Sequence, residues 1–215
     1  MKMHDRIMAQ PTEIVRDALF SRDRKYRYLL TREWSPMFPG QAGRMLFIML
    51  NPSSADSLVD DPTIRKCMGF ARRAECTSIE VVNLFAYVPT DPRALKHTDD
   101  PIGPENDRHI LEAVKRAKIV YAAWGAQPIA ESRGVDVWLM LAKNQFTPRC
   151  FGRTASLQPR HPLMVPYNYG WVPFVFYCQA ARDGDCSWRA CPQLRDGEPK
   201  KSGRSCPLDW GDDDE

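Results

Sequence analysis

Four short strings, each closing an apolar run or a restricted loop, hold the residues best suited to chemistry. They are Asn51-Pro52-Ser53-Ser54, Asn83 after Val81-Val82, Trp124-Gly125-Ala126, and His161-Pro162-Leu163. The carboxyl ends of parallel strands meet at one crevice, so residues far apart in sequence converge there on a common ligand. Their types suit a nucleobase. A carboxamide ending a buried strand offers a donor and an acceptor that match a base edge, and it costs free energy unless both are paired. Asn51 precedes a proline, which favours an extended conformation and fixes its side chain at the cleft floor. His161 lies between Pro159 and Pro162; a neutral imidazole there can donate one hydrogen bond to a developing anion. Each string also has a plain structural reading as a turn asparagine, a satisfied core amide or a surface-loop histidine. Their order carries more weight than any one of them.

The elements that must position these residues alternate. Residues 26–34 read as an edge strand, and 44–50, 79–85 and 119–124 as buried strands, with a short fourth at 149–151. Helices are expected from Asp61-Pro62-Thr63 through Ala71, over 105–117 and over 135–141. Residues 12–20 read as a short helix with Ile14, Val15, Ala18 and Leu19 on one face. The predicted fold is therefore α/β: a three-layer α/β/α sandwich around a short, mostly parallel sheet, with an irregular cysteine-containing tail. Three regions follow: an N-terminal helical extension (1–25), the α/β domain (26–176) and a Cys-rich extension with an acidic end (177–215).

This order of strings resembles the uracil-DNA glycosylase superfamily, whose pattern is a strand ending in Gly-x-Asp/Asn-Pro, a strand ending in Asn, a strand followed by Trp-Gly, and a His-Pro-x-x-Leu loop. Asn51-Pro52 stands at the first element in the Asn form of the mismatch-specific branch. Asn83 falls on the base-reading asparagine, Trp124-Gly125 on the third element and His161-Pro162-Leu163 on the last. The resemblance covers about residues 44–170. More narrowly, Asn51 to Asp56, Asp60-Asp61-Pro62-Thr63, Val82 to Ala86, Gly103-Pro104-x-Asn106-Asp107 and His161-Pro162-Leu163 resemble a domain-of-unknown-function family of bacteria and phages.

The resemblance implies a glycosylase acting on a flipped, modified or unmodified pyrimidine in DNA. Asn83 reads the base edge, His161 stabilises the departing base anion, and Asn51 positions water. Pro52, Ser53 and Gly125 shape the pocket, and Leu163 or Met164 acts as a wedge in the vacated stack. Phe85, Tyr87 and Trp124 are the candidates for stacking on the base. Because Asn51 carries no acid, Asp56, Asp60 and Asp61 are the candidates for a general base, set against capping and loop solvation. Two other readings use the same pocket: an enzyme of modified-nucleotide metabolism, and a non-catalytic nucleotide- or DNA-binding module.

Composition bounds the partners. The net charge of +3 hides 24 basic and 18 acidic side chains up to residue 176, against 6 and 9 beyond it. A mildly basic body is compatible with a phosphate backbone. No apolar run approaches the roughly 20 residues that span a bilayer, and the start lacks the pattern of a signal peptide, so a cytoplasmic protein is expected. Seven cysteines without an export signal do not suggest a disulfide framework. Cys67, Cys76 and Cys150 read as small core residues. Cys178, Cys186, Cys191 and Cys206 lie in a segment too polar to build a core; they would hold zinc or an iron-sulfur cluster, or else stand as free or redox-paired thiols.

Overall fold

The computed structural model describes residues 14–34, 43–53, 59–88 and 98–176. The chain divides into two units, 1–174 and 175–215. The four tail cysteines, Cys178, Cys186, Cys191 and Cys206, lie outside the described residues, as do Ser54 and Asp56.

Seven strands form one sheet: β1 (Val15–Phe20), β2 (Arg27–Glu33), β3 (Arg44–Met49), β4 (Ser78–Asn83), β5 (Ile119–Ala122), β6 (Arg149–Cys150) and β7 (Val172–Pro173). Their spatial order is β1-β2-β4-β3-β5-β6-β7. The middle four run parallel, and β1, β2 and β7 extend the sheet antiparallel at its two ends. Among the described residues three α-helices cover it: α1 (Pro62–Arg73), α2 (Asn106–Arg116) and α3 (Ala130–Lys143). The α/β sandwich expected from the alternating pattern is thus the fold.

Chain direction reverses around β3. The β3-α1-β4 crossover moves one way along the sheet, and the β4-α2-β5 crossover returns past β3 to its other side. Right-handed crossovers of opposite sense put α1 and α2 on opposite faces and open a crevice at the strand carboxyl ends. The packing agrees. Ile64, Cys67, Met68 and Ala71 of α1 share a core with Met45, Phe47 and Met49 of β3 and with Ile79 and Val81 of β4. On the other face Glu80 of β4, 3 % exposed, receives Arg116 of α2 and also pairs with Arg44. Arg133 of α3 donates to the Leu84 carbonyl and pairs with Asp107 of α2.

Local chemistry explains the helix bounds. Asp61 accepts from the Ile64 amide at 2.7 Å, Pro62 begins α1, and Arg72 and Arg73 in its last turn complement the helix dipole. The expectation of a helix over 12–20 is corrected: residues 15–20 form β1, paired with β2 from Val15↔Glu33 to Phe20↔Arg27. Ser21, whose amide donates to the Tyr26 carbonyl at 2.9 Å, and Arg24 at φ 59 close the hairpin. Pairing to a neighbouring strand satisfies backbone groups that a helix of one or two turns would leave unstable in water. None of the six β1 side chains is fully buried, so the apolar spacing there never becomes a core face. Strand β7 was also not anticipated. Among the described residues no helix is long and apolar enough to cross a membrane.

Candidate functional site

A cavity of about 350 Å³ opens where β3, β4 and β5 end. Its wall contains Met49 to Ser53 after β3, Val81 and Asn83 of β4, Trp124 to Gln127 after β5, Thr63 and Ile64 of α1, Arg27 of β2, and His161. All four sequence strings therefore meet, from the β3, β4 and β5 ends and the loop before the 3-10 turn Pro162–Met164.

Asn83 is the decisive residue. It is 1 % exposed, and neither its Nδ2 nor its Oδ1 has a hydrogen-bond partner among the described residues. Its backbone is held from behind, where the Nδ2 of Asn106, fully buried at the start of α2, donates to the carbonyls of Asn83 at 2.9 Å and Leu84 at 3.1 Å. An amide left unpaired in a low-dielectric wall costs about 1–3 kcal/mol. A bound group that offers a matching acceptor and donor recovers that cost.

His161 caps the 3-10 turn. Its Nδ1 accepts from the Leu163 amide at 3.4 Å, so the neutral ring carries its proton on Nε2 and is a donor there. Burial holds the ring below the usual imidazole range, and the charge of Asp61 opposes this less strongly. The neutral state is thus favoured near pH 7. Gly125 sets the approach of this loop. Its φ is 78, its amide donates to the Pro159 carbonyl at 3.0 Å, and a Cβ there would lie 3.4 Å from the His161 Cβ. Only glycine adopts that backbone conformation without strain.

Trp124 is 2 % exposed and donates from Nε1 to Gln158 Oε1 at 2.9 Å, with Phe174 edge-on at 5.2 Å. It is the one aromatic residue on the described wall. Asn51 donates from Nδ2 to the Pro52 carbonyl at 3.0 Å, as its local reading anticipated, while still lining the cavity.

Several candidates do not reach the site. Phe85, 4 % exposed, is buried away from the cavity wall. Tyr87 bridges to Tyr26 and meets its ring at 6.2 Å. Leu163 and Met164 do not line the cavity but are exposed after His161, where a wedge for the vacated stack has to stand. Asp61 caps α1, and Asp60 is paired with Arg32, itself fully buried, at 2.6 Å, and with Arg16 at 3.4 Å. Both are occupied by structural roles, and no carboxylate lines the cavity among the described residues. Within the described residues no group of three metal-binding side chains occurs.

Two functional residues escaped the sequence reading. Arg27, 3 % exposed, lies on the cavity wall. It sits at the start of an antiparallel strand, beside the carboxyl end of β4, and its amide donates to the Ala86 carbonyl at 2.8 Å. A periodicity argument cannot foresee that pairing. Asn106 belongs to the Gly103-Pro104-x-Asn106-Asp107 string, but its target carbonyls are visible only in the fold.

The family model described as Protein of unknown function (DUF1643) matches residues 27–163. That is more than half of the chain, and the chain belongs to this family. No curated protein and no solved structure matches it.

Proposed function

We propose that this member of the DUF1643 family binds a flipped pyrimidine-type base of DNA in the cavity and hydrolyses its N-glycosidic bond. The observation that carries this reading is the buried, unpartnered carboxamide of Asn83 on the same wall as the His161 ring. One group reads the donor and acceptor edge of the base. The other donates a hydrogen bond to the oxygen on which charge develops.

The path we propose is dissociative. The bond from C1′ to the base nitrogen breaks, its electron pair leaves on the base, and the Nε2 proton of His161 stabilises that anion by hydrogen bonding. The sugar becomes oxocarbenium-like. Water, positioned by Asn51 and not deprotonated beforehand, adds at C1′, and its proton ends on the departed base. One well-aimed donor contributes about 3 kcal/mol to such a step. The experiment is incubation of the full chain with oligonucleotides carrying uracil, mismatches and modified pyrimidines, read by mass spectrometry for free base. Release that is lost in His161→Ala supports the reading; no release from any of them overturns it.

Arg27 favours a second reading. An arginine on the wall places positive charge near a bound anionic group, which suits a free nucleotide, with the protein then an enzyme of modified-nucleotide metabolism or a binding module. A nucleoside monophosphate that binds far more tightly than its nucleoside, with no base released from DNA, selects this reading.

A further inference from the structure

The segment that leaves the cavity after His161 carries an exposed apolar series. Leu163, Met164, Tyr167, Tyr169 and Trp171 are 39, 87, 37, 43 and 48 % exposed. Large rings on a surface are costly unless something covers them. These rings are interleaved with cations: Lys66 and Arg73 lie 3.9 and 3.8 Å from the Tyr167 ring centre, Arg149 is 3.8 Å from that of Trp171, and Arg160 is 5.7 Å from that of Tyr169. The charge is one-sided. No Asp or Glu occurs between Asp136 and Asp183, and none occurs in α1, which supplies Lys66 and Arg73. The tyrosines are seated as well: the hydroxyl of Tyr167 fills the space beside Gly69, and that of Tyr169 lies over Gly152.

Lys66 and Arg73 stand over the Tyr167 ring and Arg149 over one face of Trp171, so the stacking surfaces are the open face of Trp171 and the ring of Tyr169. Such rings beside cations that neutralise phosphates are the physical requirements of a single-stranded nucleic-acid track. A purely apolar partner would leave the cations buried without counter-charges, and an acidic protein would make little use of the rings. We propose that residues 163–171, with Lys66, Arg73, Arg149 and Arg160, form a track on which a nucleic-acid strand lies while one of its bases enters the cavity. The second half of that statement rests on the proposed function; strand binding by the track does not.

The test is fluorescence anisotropy of a labelled oligothymidylate of about 15 nucleotides, within the range of single-strand site sizes, titrated with the full chain at several salt concentrations. Wild-type protein binds it, and affinity falls as salt is added. Trp171→Ala weakens binding about tenfold, as loss of one stacking platform does. Arg73→Glu combined with Arg160→Glu weakens binding and lowers the steepness of the logarithmic salt dependence by about 1.4, or roughly 0.7 per phosphate contact on a single strand. Urea midpoints near wild type show that the variants fold. Absence of binding at low salt, affinity unchanged in both variants, or binding to phosphatidylserine vesicles but not to the oligonucleotide overturns the track. Track-dependent binding without base release from any substrate leaves the track standing and removes the glycosidic reading. Base release with oligonucleotide affinity unchanged in both variants does the reverse.

Discussion

The side chain of Asn106 donates to the main-chain oxygens of Asn83 at 2.9 Å and Leu84 at 3.1 Å, so one carboxamide pins the strand end that presents another. All three groups are buried. Replacing Asn106 by Ala leaves two buried carbonyls without this donor, and the expected loss is about 2 kcal/mol of stability. Urea unfolding checks it. The same variant loosens Asn83, so ligand affinity falls as well, although Asn106 does not line the cavity.

Asn83→Leu acts in the opposite sense on stability. The native carboxamide has no partner at Nδ2 or Oδ1 among the described residues, and an apolar side chain of similar size removes that desolvation cost. The expected gain is about 1 kcal/mol, accompanied by loss of base binding. A higher urea midpoint together with an abolished ligand response is the outcome. A strongly destabilised variant would show that Asn83 serves the fold.

The His161 ring is held below the ordinary imidazole range by burial, and the sign of its pH dependence follows. The neutral ring is the donor, so base release is flat at pH 7–8 and falls only as pH drops through a folded-state pKa lying under 6.5. Stability behaves similarly. The unfolded chain takes up the His161 proton near pH 6.5 while the folded protein resists it. Stability is therefore full above that pH and is lost as pH falls from there through the folded pKa. His109 is shifted in the same direction, so His161→Gln reduces the acid-side loss without abolishing it. Urea midpoints measured from pH 7.5 down to 5 in both proteins check this.

Asp61 separates capping from catalysis. Its Oδ1 accepts from the Ile64 amide; Asp61→Ser retains that acceptor, and Asp61→Ala does not. The alanine variant loses about 1 kcal/mol and the serine variant little, with base release at near wild-type rate in both at a temperature where they are folded. A large rate loss in Asp61→Ser would instead mark the carboxylate as a base.

The sequence and the fold agree where spacing reflects burial on both faces. The runs at 44–50, 79–85 and 119–124 are mostly apolar because helices cover both sides of a parallel sheet, with Arg44, Glu80 and Asn83 as the polar exceptions, and Asn51 and Asn83 at or after the strand ends announce the crevice. Asn83 was legible for that reason, and His161 from Pro159 and Pro162, which restrict its loop. Residues 15–20 were not: an edge strand with no buried face carries no period-2 signal, and only pairing with β2 decides its conformation. Phe85 misled because its position after Asn83 is also what buries it away from the cavity. Arg27 stayed hidden because its place depends on which strand lies beside β4. For Asp60 and Asp61 the spacing already favours capping and loop solvation over a base role, and in the fold Arg32 pairs with Asp60 and the α1 amide donates to Asp61.

Asn83 is the group proposed to read the base, and its side chain can be observed directly. Its carboxamide protons give a side-chain resonance in the nitrogen-15 spectrum of the labelled full chain, identified as the one missing from Asn83→Leu. Titration with free pyrimidine bases should move that resonance saturably, with His161 responding at the same concentrations. A base that binds elsewhere and leaves the Asn83 resonance in place, or the absence of any response from it across the pyrimidines, contradicts the account.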